Sequence, residues 1–180
     1  FKSGSAGWTQ ISTPGSGGIT SGRTIRAVSH GVGVSPVDLQ HIAAAGNGGY
    51  LLLTTNGGTL WTEKFLGAEP GTAGLVPGWQ GYNANIAWAN NSILYVCSES
   101  PLTGAVRVAK STDGGTTWTG ANGNGSGALP DIPVTKLAVD PGDSTGSTVY
   151  AATWLGVYKT SDGGASWSIF GTGLPQGRAT

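Results

Sequence analysis

At 180 residues the chain is long enough for one sizeable core, and nine basic against nine acidic residues leave it with no net charge. That balance gives no electrostatic footprint for nucleic acid or an acidic membrane surface, and no apolar run reaches the roughly 18 residues of a membrane-spanning helix. The 33 glycines could pass for low complexity, but seven Trp, five Tyr and alternating Val, Ile and Leu runs predict a packed all-β domain.

The chain contains no Met and begins with Phe1, as expected of a processed chain or a piece of a longer one. Residues 3–8, Ser-Gly-Ser-Ala-Gly-Trp, predict a strand within residues 1–12 that ends an earlier structural unit. A first complete unit is expected over residues 23–66, with strands at 24–29, 40–44, 50–54 and 60–65. A second is expected over 79–121, with strands at 85–89, 93–97, 106–111 and 117–119. The third, over 134–170, predicts strands at 134–139, 148–153, 156–160 and 166–170, with a strong turn at Asp140-Pro141-Gly142-Asp143. No 3.6-residue periodicity argues for a helix.

Each unit carries an eight-residue box with a hydroxyl residue, an Asp or Asn, paired glycines and a closing Trp. In the first these are Thr54, Asn56, Gly58 and Trp61; in the second, Ser111, Asp113, Gly115 and Trp118; in the third, Thr160, Asp162, Gly164 and Trp167. From Asn56 to Asp113 is 57 residues, from Asp113 to Asp162 is 49, and from Trp8 back in the degenerate box to Trp61 is 53. A motif recurring at this interval marks a repeat architecture. Paired glycines between β-rich runs predict a hairpin turn with positive φ, closed by the acidic or amide side chain accepting from backbone N–H groups just downstream. The indole is expected to start the outgoing strand and bury a large apolar area.

These boxes match the pattern S/T-x-D-x-G-x-x-W, so the chain resembles the Asp-box (bacterial neuraminidase repeat) β-propeller proteins over most of its length. That family includes sialidases, xyloglucan-cleaving glycoside hydrolases, sortilin-type receptors and a photosystem assembly factor. The resemblance implies a propeller segment of about three four-stranded antiparallel blades plus one N-terminal strand of a preceding blade. It also implies that the boxes are structural and lie opposite the end that carries most propeller active sites. Propellers close with about four to eight blades, so a partner is expected: either the remaining blades of a larger propeller or another copy in a homo-oligomer.

The residues point to chemistry only weakly. Glycoside hydrolysis uses two carboxylates flanking a sugar, with aromatics stacked on the ring. Glu69 and Glu99 are the candidate pair, though loop carboxylates are ordinarily just solvated. Trp79 and Tyr82 are candidate sugar or protein contacts, or else they pack beneath their loop. The arginine set and aromatic-Arg-Ile-Pro element of the sialidases are missing, and Arg26 and Arg107 read as solvent-facing strand residues. Two histidines, His30 and His41, without clustered partners predict no metal site. The glycine-rich stretches lack the Gly-Lys-Ser/Thr ending of a phosphate loop, so no cofactor is expected. The single Cys97 reads as a core residue, and Asn90 and Asn124 head N-x-S sequons.

The resulting expectation is a non-catalytic extracellular module, secreted or on a cell or virion surface. It would bind polysaccharide or a protein surface, or build a surface assembly. The alternative is a portion of a glycoside hydrolase, xyloglucanase-like rather than sialidase, whose catalytic residues lie elsewhere.

Overall fold

A computed structural model describes residues 2–4, 7–9, 32–45, 49–68, 73–81, 85–171 and 173. The described residues form three four-stranded antiparallel sheets and one short hairpin. In the hairpin, β1 (Lys2–Gly4) pairs with β2 (Gly7–Thr9) in the register Ser3↔Trp8. Residues 7–9, within the stretch expected to hold a terminal strand, thus pair with residues 2–4 as a hairpin.

Each sheet runs in simple meander order. The first contains β3 (Val32–Val34), β4 (Ile42–Ala45), β5 (Tyr50–Thr54) and β6 (Thr62–Phe65). The second contains β7 (Asn85–Trp88), β8 (Leu94–Cys97), β9 (Val108–Ser111) and β10 (Thr119–Gly120). The third contains β11 (Val134–Val139), β12 (Val149–Thr153), β13 (Gly156–Thr160) and β14 (Ser168–Phe170). The sole helical turn among the described residues is a 3-10 turn at Gly125–Gly127.

Two expectations need correcting. The strand that pairs with β4 is Val32–Val34; the stretch expected to supply it, residues 24–29, lies outside the described residues. The last strand of each sheet also begins after the box Trp and not at it, because the box spends its second half completing the turn. Trp61, Trp118 and Trp167 precede β6, β10 and β14.

The sheets pack as propeller blades. Their first strands are neighbours, β3 against β7 and β7 against β11. Gly33 is needed at that contact, since a Cβ there would lie 2.9 Å from the Ile86 side chain and 3.1 Å from Trp88. The Trp88 indole N–H also donates to the Gly33 carbonyl at 3.1 Å. Strand alternation then gives every sheet two apolar faces. Ala43, Leu51, Leu53, Leu94, Val96 and Trp118 belong to the core that joins the first and second sheets. Tyr95, Cys97, Val108, Val149, Ala151 and Trp167 belong to the core that joins the second and third. A third cluster, Ala44, Tyr50, Leu52 and Trp61, buries the other face of the first sheet. Emptying one of these indole sites costs roughly 3–5 kcal/mol, so Trp118 and Trp167 are principal contributors to the two junctions.

Candidate functional site

The ends of the blades differ in character. At one end the box closes on itself through bonds that repeat in all three sheets. Gly58 N–H donates to Thr54 Oγ1 at 3.1 Å, Gly115 N–H to Ser111 Oγ at 2.8 Å and Gly164 N–H to Thr160 Oγ1 at 3.0 Å. The hydroxyls in turn donate to Asn56, Asp113 and Asp162 at 2.9, 2.8 and 2.7 Å. Each of those side chains then accepts from the backbone N–H four residues on, at Leu60, Thr117 and Ser166 (2.9, 2.8 and 2.9 Å). The paired glycines all have positive φ, from 67° at Gly57 to 92° at Gly58 and Gly164. The first glycine of each pair donates to the turn between the sheet's first two strands, at Gln40, Ser92 and Ser147. Boxes and those turns therefore share one end.

The bonds set the acidity of the box carboxylates. The Thr117 hydroxyl and N–H pull Asp113 down to about 2, and the Ser166 and Thr160 hydroxyls pull Asp162 down to about 2. Both are ionised and fully engaged, which suits a fixed corner and leaves no proton to exchange near neutral pH. A depressed folded-state pKa stabilises the fold above the ordinary carboxylate value and loses that contribution as pH falls through the folded one. The melting temperature is thus expected to hold down to about pH 4 and then fall towards pH 2. Asp113→Asn with Asp162→Asn should flatten that fall. Asn56, which cannot titrate, already closes its corner without charge.

The opposite end holds the loops. Between β8 and β9, residues 98–105 wrap the Arg107 side chain, which is 2% exposed. This corrects the expectation of a solvent-facing strand arginine. The loop folds back over the strand, so the guanidinium donates to the carbonyls of Ser100 (3.3 Å), Leu102 (2.7 Å) and Ala105 (3.1 Å). It also pairs with Asp131 of the connection leading to the third sheet. The Gly104 N–H, at 2.9 Å, and then Arg107 hold Asp131 below the usual carboxylate value. Asn122 completes the clamp: its Oδ1 accepts from the Arg107 and Val108 N–H groups, both at 2.9 Å, and its amide donates to the Ala105 carbonyl at 3.1 Å. Two loops from different connections thus form one rigid platform.

Trp79 lies under that end and not on it. It is 2% exposed, sits in the core beside Leu66 and Val76, and bridges to Val106. It therefore has no free ring face to offer a sugar. Glu99 is half-buried on the platform loop, flanked by the buried Ser98 and Ser100. Glu69 and Tyr82 lie outside the described residues.

A different aromatic stands out at this end. The β12–β13 hairpin closes through Trp154 and Leu155, with Thr153 paired to Gly156. The Thr153 hydroxyl donates to the Gly156 carbonyl at 2.7 Å and accepts from the Leu155 N–H at 3.1 Å, which stiffens the tip. Two-residue hairpin tips ordinarily take Gly, Asn or Asp. Here they carry an indole that is 45% exposed and an exposed leucine, with exposed Leu102 on the neighbouring platform loop. Sequence reasoning did not single out Trp154. The signal was a Trp-Leu pair where turn-forming residues are expected. Among the described residues, one cleft of about 420 Å³ runs from Val106 and Asn122 to Lys110 and Asp162, and another of about 230 Å³ lies beside Asn56 and Gly115, both lined by polar and apolar groups alike.

No family model matches the chain. It is 33% identical over 89 residues, 48% of its length, to a xyloglucanase from Hypocrea jecorina, of which that stretch is 10%. Its fold matches YCF48 from Cyanidioschyzon merolae with a TM-score of 0.54 at 20% identity, over 77% of this chain and 35% of that one. It also matches the GH74 enzyme of Niastella koreensis with a TM-score of 0.56 at 21% identity, over 79% of this chain and 22% of that one. Another YCF48 structure with the same fold, at a TM-score of 0.52, holds a bound peptide. The fold is that of a β-propeller, and the chain spans well under half the length of each of these proteins.

Proposed function

We propose that the chain is a carbohydrate-binding segment of an Asp-box β-propeller that works outside the cytoplasm, with its ligand on the loop end opposite the boxes. The observation that carries this reading is the Trp154–Leu155 tip, an exposed indole on a stiffened hairpin beside a clamped loop platform. An indole face offers large apolar area at little entropic cost and stacks on the C–H face of a pyranose. The ligand class is a β-glucan of the xyloglucan kind, supported by the similarity to the xyloglucanase. Calorimetric titration with xyloglucan oligosaccharides is expected to show binding without release of reducing ends. Trp154→Ala should weaken it roughly tenfold, about 1.4 kcal/mol, and leave the melting temperature unchanged. Unchanged affinity in that variant would place the sugar elsewhere, and absence of binding by the parent chain would overturn the reading.

A second reading is supported by the same similarity: the segment is part of a glycoside hydrolase whose acid and base lie outside it. Turnover of xyloglucan by this chain alone would favour catalysis within residues 1–180 and count against both readings. A peptide is the other ligand this end could take, as the peptide-bound YCF48 fold suggests.

A further inference from the structure

Four Asn-Gly pairs occur in the chain, beginning at Asn47, Asn56, Asn122 and Asn124. Such a pair is chemically labile, because the Gly nitrogen can attack the Asn side-chain carbon with no Cβ to hinder it. Folding decides which pairs react. The attack needs a free side-chain amide, a free Gly N–H and room for the peptide between them to turn. Asn47 lies outside the described residues.

Two of the other pairs are locked. Asn56 Oδ1 accepts from the Thr54 hydroxyl and the Leu60 N–H, both at 2.9 Å. The Gly57 N–H that would attack it donates to the Gln40 carbonyl at 3.0 Å. Asn122 is held at both ends of its amide by Arg107, Val108 and Ala105. A Cβ at Gly123 would stand 2.5 Å from the Gly127 carbonyl oxygen, so the peptide after Asn122 is wedged against backbone.

Asn124 differs on every count. It is exposed, and its side chain makes no hydrogen bond to the 3-10 turn that follows. That turn buries no residue. Nothing lies within 4 Å of the place a Gly125 Cβ would occupy. The loop is anchored on either side of this tip, where the Leu129 N–H donates to the Asn122 carbonyl and the Trp167 N–H to the Gly127 carbonyl, both at 2.7 Å. The 124–125 peptide is therefore free to turn on a fixed base.

We propose that Asn124 is a self-modifying site, at which the chain converts a side-chain amide into a carboxylate without a catalyst. Rotation about the Asn124 ψ, 151° as folded, brings the Gly125 nitrogen onto Cγ. Base takes the Gly125 N–H proton, the bond from that nitrogen to Cγ forms, and the Cγ–Nδ2 bond breaks. Nδ2 takes up a proton from water and leaves as ammonia. Water then opens the five-membered imide. Cleavage at Cγ leaves Asp, and cleavage at the backbone carbonyl leaves isoaspartate, with one more carbon in the main chain. No atom is oxidised or reduced. The product carries nine basic against ten acidic residues, hence a charge of −1 in place of zero. Its new carboxylate lies on the cleft that also holds Lys110 and Asp162.

Incubation in heavy-oxygen water at mildly alkaline pH tests this, on chain made in a host that attaches no N-glycans so that Nδ2 stays unsubstituted. Peptide fragmentation by mass spectrometry separates residues 122 and 124. Heavy oxygen is expected to enter at Asn124 several-fold faster than at Asn56 or Asn122, at a rate that rises with pH, as a more acidic species grows on anion exchange. In urea the three positions should react at similar rates. Gly125→Ala should slow the reaction several-fold. Asn56 or Asn122 keeping pace in the folded chain would overturn the proposal, and so would the same ranking in urea or an unchanged rate in Gly125→Ala. None of these outcomes depends on sugar binding at the loop end.

Discussion

Arg107→Met is expected to cost about 1–2 kcal/mol of unfolding free energy, measured by urea denaturation, and to loosen residues 98–105 in hydrogen exchange. The magnitude follows from what the guanidinium holds. The Ser100 carbonyl loses the guanidinium and faces a thioether instead, while those of Leu102 and Ala105 keep the Ala105 N–H at 3.4 Å and the Asn122 amide at 3.1 Å. A buried carbonyl left unsatisfied costs about 1–3 kcal/mol. The lower end applies because Asp131, the anionic partner, is 43% exposed in its side chain and turns to water. Arg107→Lys keeps the charge but not the fork, so it should recover only part of the loss. A loss below about 0.5 kcal/mol, the range of ordinary surface substitutions, would mean the clamp does not organise this end of the molecule.

Gly164→Ala is the second large effect, expected to cost roughly 2–5 kcal/mol from left-handed strain and overpacking together. Its φ of 92° lies in the region an L side chain avoids. The added Cβ would also stand 2.8 Å from the Ala121 carbonyl oxygen and 2.7 Å from its Cβ, neither of which is a flexible tip. Gly125→Ala separates the two causes, because φ there is 56° and nothing lies within 4 Å. It should cost only the strain, about 1 kcal/mol. Equal losses at the two positions would show that the box corner is not pressed against the preceding blade.

These two sites show what can and cannot be read from residue order. The box was legible because its bonds are local: hydroxyl, carboxylate or amide, and N–H all fall within seven residues of Thr160, and the need for left-handed backbone is written as paired glycines. The sheets were legible for the same reason, since each hairpin joins neighbours in sequence. Arg107 was not. Alternation along Val106-Arg107-Val108 assigns it to a polar face, and only the return of the 98–105 loop and the approach of Asp131 make that face interior. For Trp79 residue order left two alternatives, a ligand contact or packing beneath its loop, and only the core under the loop selects the second. Trp154 carried a readable signal, a large apolar side chain at a hairpin tip, that composition alone does not rank.

The division of labour follows from those contacts. Box carboxylates are spent on closing corners, with hydroxyl and N–H partners that leave them little to offer a ligand. The loop end combines a rigid platform with exposed apolar groups, the usual make-up of a site that recognises an uncharged ligand. A chain with no net charge suits such a partner better than a polyelectrolyte.

Amide chemical-shift mapping during titration with a xyloglucan oligosaccharide tests this division most directly. Shifts should concentrate in residues 98–105, 121–133 and 153–156 and leave residues 54–61, 111–118 and 160–167 unmoved. Perturbations centred on the boxes, or none at saturating sugar, would contradict it.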